Sequence, residues 1–232
     1  MSLLREQLYD CFKHWEDKGV VWVISDTHFG ESLQECGFEW KPGDDDFVRL
    51  INSCVHKNDT LIILGDVGNI EPVKHLKGYK VLITGNHDKG ITNYKRKEEH
   101  LKIAPELNLE DIKKKYPDFK SFVKRTDNEK IIYTDSCLFD EVYNGPLFIS
   151  DRLLLSHEPI IDSDSCFYNI HGHIHGDKVI RTPYSFNVCA DAIHFIPLRI
   201  DTLLKGGVLK EIKNIHRFTT DNAIKRKTVD NE

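Results

Sequence analysis

The chain lacks the sequence features of a membrane-inserted or exported protein. No apolar run in its 232 residues approaches the roughly 18 residues that a membrane-spanning helix needs. Its start does not combine positive charge with a following apolar stretch, so we expect no secretion signal. We therefore predict a cytoplasmic protein that has no membrane partner.

The chain also lacks a strong excess of one charge. Its formal net charge is -5 at pH 7, and its pI is near 6.2. A protein whose main task is to grip a nucleic-acid backbone usually carries a positive balance, because the phosphates are negative. Nucleic acid is therefore a disfavoured partner, although a local basic patch is compatible with this composition.

No two of the six cysteines form a C-x-x-C pair. Scattered cysteines of this kind are typical of free thiols in a reducing compartment, and they argue against a disulfide framework or a thiolate zinc site. Cys166 and Cys189 lie near the polar motifs described below, but we expect both to be core thiols. The six are Cys11, Cys36, Cys54, Cys137, Cys166 and Cys189.

The composition suits a chain that buries a substantial core. Hydrophobic residues make up 40% of the sequence and charged residues 30%, and a chain of this length usually forms one domain. We predict a single domain over residues 1–217 and a polar C-terminal tail over residues 218–232.

Apolar periodicity predicts helices alternating with short strands. Helices are expected over Leu3–Lys18, Asp44–Lys57 and Asp201–Arg217. The alternation of strand and helix from Leu61 to Thr84 predicts a parallel sheet with crossover helices. The pair Asn144-Gly145 predicts a hairpin turn. Phe186–Ala190 and Phe195–Ile200 predict a further pair of strands in a second sheet.

The stretch over residues 89–136 is rich in interleaved charges and has little strand pattern. We predict that it is a helical cap insertion that covers one end of the site. The alternative is a solvated, charged face with no such role.

Polar side chains follow five short apolar runs. The runs VVWVIS, TLIILG, KVLITG, RLLLS and FYNIHG each end in a turn signal, which predicts buried strands followed by loops. Ligands collect at the carboxyl ends of strands in such sheets. A single histidine or aspartate there is an ordinary loop residue, but five clusters in order favour one shared site. The candidate ligands are Asp26, His28, Asp66, Asn86, His157, His173 and His175.

These candidate ligands combine hard oxygen donors with imidazoles, and this combination suits divalent cations. Manganese, iron and zinc all bind sites made of two or three histidines with carboxylates. The type of ligand therefore predicts a metal site and leaves the choice among these three metals open.

The blocks DTH, GDVGN, GNHD, SHEP and GHIHG extend from Asp26 to Gly176. In sequence and order they resemble the signature segments of the calcineurin-like metallophosphoesterase superfamily. The resemblance implies an α/β fold, a four-layer α/β/β/α sandwich of two mixed sheets flanked by helices, and two divalent metal ions. By position, the first metal would be held by Asp26, His28, Asp66 and His175, and the second by Asp66, Asn86, His157 and His173.

The same resemblance implies roles for Asp66 and His87. Asp66 would bridge the two metals, since one carboxylate has two oxygens to share. His87 corresponds to the catalytic histidine of the family, which is not a ligand. Two metals about 3.5–4 Å apart can create a hydroxide nucleophile near neutral pH and clamp phosphate oxygens. An imidazole can then protonate the departing alkoxide.

The predicted function is hydrolysis of phosphomonoesters or phosphodiesters, with small phosphorylated molecules such as nucleotides as substrates. The chain lacks the arginine of the GDxxDRG block of protein Ser/Thr phosphatases, which argues against a phosphoprotein substrate. A nuclease of the same superfamily is one alternative, and the short, acidic chain disfavours it. A non-catalytic interaction module on the same fold is another, and the complete ligand set disfavours it.

Asn69 departs from the family pattern. Family members often carry an acid at this position, where it orients the catalytic histidine and stabilises its protonated form. An amide orients an imidazole without this stabilisation, so the chain would prefer substrates with good leaving groups. The alternative is that Asn69 is a plain turn residue. Glu31 and Ser32 also stand where relatives that act on small molecules often carry another histidine.

Overall fold

The computed structural model of this protein describes residues 10–88, 98–102, 110, 114, 119–126, 129–134, 138–150, 153–160, 167–176, 179–182 and 184–205. Its strands in chain order are β1 (Val21–Ile24), β2 (Thr60–Ile63), β3 (Tyr79–Ile83), β4 (Glu98–Lys102), β5 (Phe119–Thr126), β6 (Glu129–Thr134), β7 (Glu141–Tyr143), β8 (Leu147–Ser150), β9 (Leu153–Leu155), β10 (Tyr168–His171), β11 (Ile180–Thr182), β12 (Ser185–Asn187) and β13 (Leu198–Arg199). Its α-helices are α1 (Asp10–Glu16), α2 (Leu33–Cys36), α3 (Asp44–Cys54) and α4 (Ile200–Lys205), and a 3-10 helix covers Pro72–His75.

The first sheet has the strand order β13-β1-β2-β3-β7. Strands β1, β2, β3 and β7 run parallel, and β13 pairs antiparallel with β1. All four residues of β2 are buried, which explains why this strand is an uninterrupted apolar run and not an alternating one. The parallel sheet predicted over Leu61–Thr84 is confirmed, with the 3-10 helix between β2 and β3.

The second sheet has the order β11-β12-β10-β9-β8 and is also mixed. Its central strands β9, β10 and β12 run parallel, while β8 and β11 are antiparallel to their neighbours. The two sheets meet at Ser25, whose N–H donates to the Val188 carbonyl at 2.8 Å and whose carbonyl accepts from Ala190 N–H at 2.9 Å. The predicted α/β class, with two mixed sheets and flanking helices, is confirmed.

Helix α3 confirms the helix predicted over Asp44–Lys57, although it ends at Cys54. Three aspartates occupy its first turn, where the positive end of the helix dipole favours negative side chains. Its apolar residues Phe47, Val48 and Ile51 are buried. The pattern of one apolar face therefore determined this helix, as expected for a helix that covers a sheet.

The two terminal helices are confirmed only where the structure describes the chain. Helix α1 lies inside the predicted Leu3–Lys18 helix, and residues 1–9 lie outside the described residues. Helix α4 forms the start of the helix predicted over Asp201–Arg217. Residues 206–232, including the predicted polar tail, also lie outside the described residues. None of the helices in the described part of the chain is long and apolar enough to cross a membrane.

Two predictions about strand pairing are wrong. The turn at Asn144-Gly145 joins β7 of the first sheet to β8 of the second, so it does not close a hairpin. The antiparallel pair of this segment is instead β8 with β9. Strands β12 and β13 do not pair either, because β12 lies in the second sheet and β13 lies beside β1. A turn reverses the chain, but partners distant in sequence decide which sheet a strand of two or three residues joins.

Within residues 89–136, where a helical cap is predicted, the described stretches 98–102, 119–126 and 129–134 are strands and not helices, whereas positions 110 and 114 are helical. The role of this stretch as a cap stays a prediction. Strands β4, β6 and β5 form a separate antiparallel sheet in that order. The sequences FKSFVKRT and EKIIYT contain β-branched and aromatic residues, which favour strands. Their interleaved charges masked this signal. The extent of the domain, 1–217, stays a prediction.

The free state of the cysteines is confirmed where they are described. Cys36 and Cys189 are buried, Cys11 and Cys54 are partly buried, and all four are free. The remaining two cysteines, at positions 137 and 166, lie outside the described residues.

Candidate metal centre

Five of the candidate ligands have left-handed backbone conformations. The angle φ is 54° at Asp26, 42° at His28, 52° at Asp66, 72° at His173 and 48° at His175. Such values are uncommon outside glycine, and each costs on the order of 1–3 kcal/mol and persists only where the surrounding structure imposes it. Strained conformations of this kind cluster at functional sites, and here they occur in the loops that follow β1, β2 and β10.

The Asp26 group consists of Asp26, His28 and His175, each with a ligand atom within 4.8 Å of the others. Nε2 of His28 and Nε2 of His175 both lie 3.9 Å from Asp26 Oδ1. Asp26 and His28 are 0% and 2% exposed, yet Asp26 Oδ1 and His28 Nε2 have no hydrogen-bond partner among the described residues. Buried polar atoms without partners are costly. A cation between these atoms would satisfy both, so the residues fit a metal.

The Asp66 group consists of Asp66, His157 and His173, with Asn86 beside them. His157 Nε2 lies 3.3 Å from Asp66 Oδ2 and 2.8 Å from Asn86 Oδ1. His173 Nδ1 lies 3.1 Å from the same amide oxygen and 3.2 Å from His157 Nε2. Because His157 Nδ1–H donates to the Leu64 carbonyl at 2.8 Å, Nε2 is the nitrogen left for a metal.

The seven candidate ligands therefore lie in two groups, each of mixed oxygen and nitrogen donors. Asp66 belongs to one of these groups, and its predicted role as a bridge between two metals stays a prediction. Both groups lie in loops at the carboxyl ends of strands, as the sequence analysis expects of ligands in such sheets.

The Asp66 group attracts positive charge. Burial acts to raise the pKa of Asp66, but the His157 imidazole and the His87 backbone N–H outweigh it, and the pKa is lowered. Burial likewise acts to lower the pKa of His157, but Asp66 and Asp26 outweigh it and raise that pKa to about 9. A site that draws a proton onto its imidazole in this way also suits a divalent cation, which competes for the same nitrogen.

Asp88, the last residue of the GNHD block, accepts hydrogen bonds from the loops after β2 and β3. Its Oδ2 accepts from Asp66 N–H and Gly85 N–H at 2.8 Å each, and its Oδ1 accepts from Val67 N–H at 3.0 Å. Burial raises the pKa of Asp88, and the three N–H donors oppose this rise. The sequence analysis missed this residue, although its place at the end of the GNHD block was a usable signal.

We expect Asp88→Ala to destabilise the protein by about 2–4 kcal/mol, because it leaves three backbone donors, two of them buried, without an acceptor. Urea denaturation of the metal-free protein measures the change. The control is Asp45→Ala, at an exposed position in the first turn of α3. Equal losses of stability in both variants would contradict the role of Asp88.

His87 lies at the surface beside the two groups. Its side chain is exposed, its N–H donates to Asp66 Oδ1 at 2.9 Å, and its ring centroid lies 5.8 Å from that of His28. Asn69 Oδ1 accepts from Glu71 N–H at 3.1 Å. This is the contact of an Asx turn, so the structure favours the turn alternative for Asn69.

Three further residues lie around the Asp26 group, and none of them was predicted from the sequence to support it. Glu31 Oε2 lies 2.8 Å from His28 Nδ1, and Asp191 Oδ1 lies 3.8 Å from His175 Nδ1. The Cys189 thiol donates to Asp26 Oδ2 at 3.2 Å. Burial, with Asp26 beside it, raises the pKa of Cys189, so its sulfur acts as a protonated donor to Asp26. A carboxylate three residues after His28 was the one local signal among these.

The chain is similar to a known protein family and to a solved structure. A family model described as calcineurin-like phosphoesterase matches residues 19–189, a span that contains all seven candidate ligands. Among solved structures, the chain is similar to the protein of unknown function AQ665 from Aquifex aeolicus, with 21% identity and a TM-score of 0.50. The match covers 80% of this chain and 98% of that chain, and it concerns the fold alone. No curated protein matches the chain.

Proposed function

Since the chain belongs to the calcineurin-like phosphoesterase family, we propose that it is a metal-dependent hydrolase of phosphomonoesters or phosphodiesters with a dinuclear site. The observation that carries the proposal is the pair of ligand groups, in which buried Asp26 Oδ1 and His28 Nε2 lack any partner among the described residues. Buried polar atoms without partners are costly, and a bound cation would remove this cost. Two adjacent cations are suited to phosphoryl transfer.

We assign the ligands as the family resemblance implies. The Asp26 group would hold one divalent ion, and the Asp66 group with Asn86 would hold the second, with Asp66 shared. Two such ions would supply a hydroxide nucleophile at neutral pH and neutralise the phosphate oxygens. Manganese, iron or zinc is compatible with these donors.

The chain's own residues would supply positioning and a proton. Asp66 Oδ1 holds the backbone at His87 by accepting its N–H. The exposed imidazole of His87 would donate a proton to the departing alkoxide, because an imidazolium nitrogen can act as a general acid. We propose small phosphorylated molecules, including nucleotides, as substrates.

The proposal is tested by hydrolysis of p-nitrophenyl phosphate and of its bis ester with added manganese. Hydrolysis of either ester that depends on added metal supports it. A screen of phosphate release over a nucleotide panel then identifies the substrate. Absence of hydrolysis with manganese, iron and zinc alike would instead point to a non-catalytic module on this fold.

We expect His87→Ala to lower kcat for esters with poor leaving groups by about 10²–10⁴-fold, because a general acid matters most where the alkoxide is basic. For p-nitrophenyl phosphate the loss is smaller. The measurement is kcat against leaving-group pKa for wild type and variant. His56→Ala, on the loop before β2, is the matched control. An equal loss at every leaving group would contradict the assignment of His87.

A further inference from the structure

We propose that the Asp26 group binds its metal more tightly than the Asp66 group, and that Glu31 is the positioning residue for His28. The reason is that carboxylates of this chain stand behind the imidazoles of the Asp26 group, that is, near the ring nitrogens that face away from Asp26. The inference rests on the proposed dinuclear site. It adds to that proposal an order of metal loading and a residue that controls it.

Glu31 determines which ring nitrogen of His28 carries the proton. Glu31 Oε2 lies 2.8 Å from His28 Nδ1, and the two side chains are 25% and 3% exposed. A carboxylate at this distance accepts the Nδ1 proton, so Nε2 keeps its lone pair. Nε2 is the buried nitrogen without a partner in the described chain, and it faces Asp26 Oδ1 at 3.9 Å.

The loop that carries this pair is held by Lys41 and Asp44. Lys41 Nζ donates to the His28 carbonyl at 2.6 Å and to the Glu31 carbonyl at 3.0 Å, and its side chain is 9% exposed. Asp44 Oδ1 accepts from Gly30 N–H at 3.0 Å. With three backbone groups of the loop bonded to these side chains, Glu31 is positioned without help from a metal.

Asp191 provides a second carboxylate behind the Asp26 group. Its Oδ1 lies 3.8 Å from His175 Nδ1, and His175 Nδ1 is buried without a hydrogen-bond partner among the described residues. The Asp191 side chain is held from two sides, since it accepts from Gly176 N–H at 2.7 Å and Ala192 N–H at 3.0 Å. A small rotation of the imidazole would complete an aspartate–histidine–metal arrangement like that of Glu31 and His28.

The Asp66 group has no such carboxylates among the contacts described. The acceptor behind His157 is the neutral Leu64 carbonyl, at 2.8 Å. Its fourth donor, Asn86, is a neutral amide. A carboxylate behind an imidazole makes the ring a stronger base and adds negative charge near the metal. The Asp26 group therefore combines one carboxylate ligand with two carboxylates behind its imidazoles, and it should fill first.

The test is titration of the metal-free protein with Mn²⁺, with free Mn²⁺ followed by electron paramagnetic resonance. We expect two binding steps in the wild type, the first tighter. Glu31→Ala should weaken the first step by about 10–100-fold and leave the second unchanged. Glu31→Gln, which keeps an acceptor oxygen for His28 but removes the charge, should give a smaller loss. His28→Ala should remove the tight step, and Asn86→Ala the weak one.

Glu35→Gln is the matched control, because this carboxylate lies in α2, directly after the same loop, and accepts from Ser32 N–H and Ser32 Oγ, each at 2.8 Å. Thermal melting verifies that each variant folds. If Glu31→Ala does not fold, the Mn²⁺ titration of Glu31→Gln alone decides the test. Two equal steps in the wild type, or an unchanged first step in the Glu31 variants, would overturn this inference and leave the proposed function intact. Absence of any Mn²⁺ binding by the wild type would overturn both.

Discussion

Asp66→Asn is expected to reduce metal-dependent hydrolysis of phosphate esters by about 10³-fold or more, since it removes the charge that neutralises a cation in the site. The Asp66 carboxylate is 2% exposed, its Oδ2 lies 3.3 Å from His157 Nε2, and its pKa is lowered by the His157 imidazole and His87 N–H despite burial. Its carboxylate is thus ionised at neutral pH in the metal-free protein. Asparagine has a similar shape and can still accept from His87 N–H, so the fold should persist.

The measurement is kcat/KM for p-nitrophenyl phosphate with added manganese, together with metal content after dialysis. We expect the variant to retain less metal and to unfold at nearly the same urea concentration as the wild type without metal. Asp45→Asn, at an exposed position, controls for the loss of one negative charge. Activity within tenfold of the wild type would show that Asp66 is not a metal ligand.

Gly172→Ala is expected to destabilise the protein by about 3 kcal/mol or more and to remove metal binding by the Asp26 group, because overpacking at a buried contact displaces its neighbours. A Cβ at this position would overlap Ser25 Oγ and Asp26 Oδ2, and it would lie 2.5 Å from Ser25 Cβ. These atoms belong to a buried candidate ligand and to the contact between the two sheets, so displacing either residue costs stability. Gly85 likewise lies close against Asp66, because a Cβ at Gly85 would overlap Asp66 Oδ1.

Urea denaturation and Mn²⁺ titration measure the two effects. The matched control is Gly43→Ala, because a Cβ at Gly43 meets nothing within 4 Å and its φ of -60° is open to alanine. We expect that variant to lose less than about 1 kcal/mol, as for alanine in place of glycine before a helix. If both alanine variants are equally stable and bind metal equally well, the close approach at Gly172 is not needed.

The candidate ligands could be predicted because the signal for them is local. Each follows a buried strand such as β1 or β2, and the carboxyl ends of parallel strands meet at one edge of a sheet. Residue type then indicated the chemistry, since carboxylates, an amide and imidazoles suit divalent cations. For Asp26 and His28 this logic needed no knowledge of the partner strands.

The supporting residues could not be predicted in this way. Asp88 accepts from Asp66, 22 positions earlier, and Cys189 donates to Asp26 across 163 positions. Gly172 matters because Ser25 lies against it. A pattern along the chain has no information about which distant atoms become neighbours, so the contacts of these residues could not be predicted, even for Asp88 in the GNHD block.

By itself, the sequence determined the local elements: the uninterrupted apolar strands, the α3 helix with acids in its first turn, and the order of polar residues in the strand-end loops. These depend on burial and on backbone preferences within a few residues. Only the tertiary structure decided that β7 and β8 enter different sheets, that β13 pairs with β1, and that Asp191 lies beside the His175 imidazole. The reason is that short strands and single carboxylates gain most of their stabilisation from partners distant in the chain.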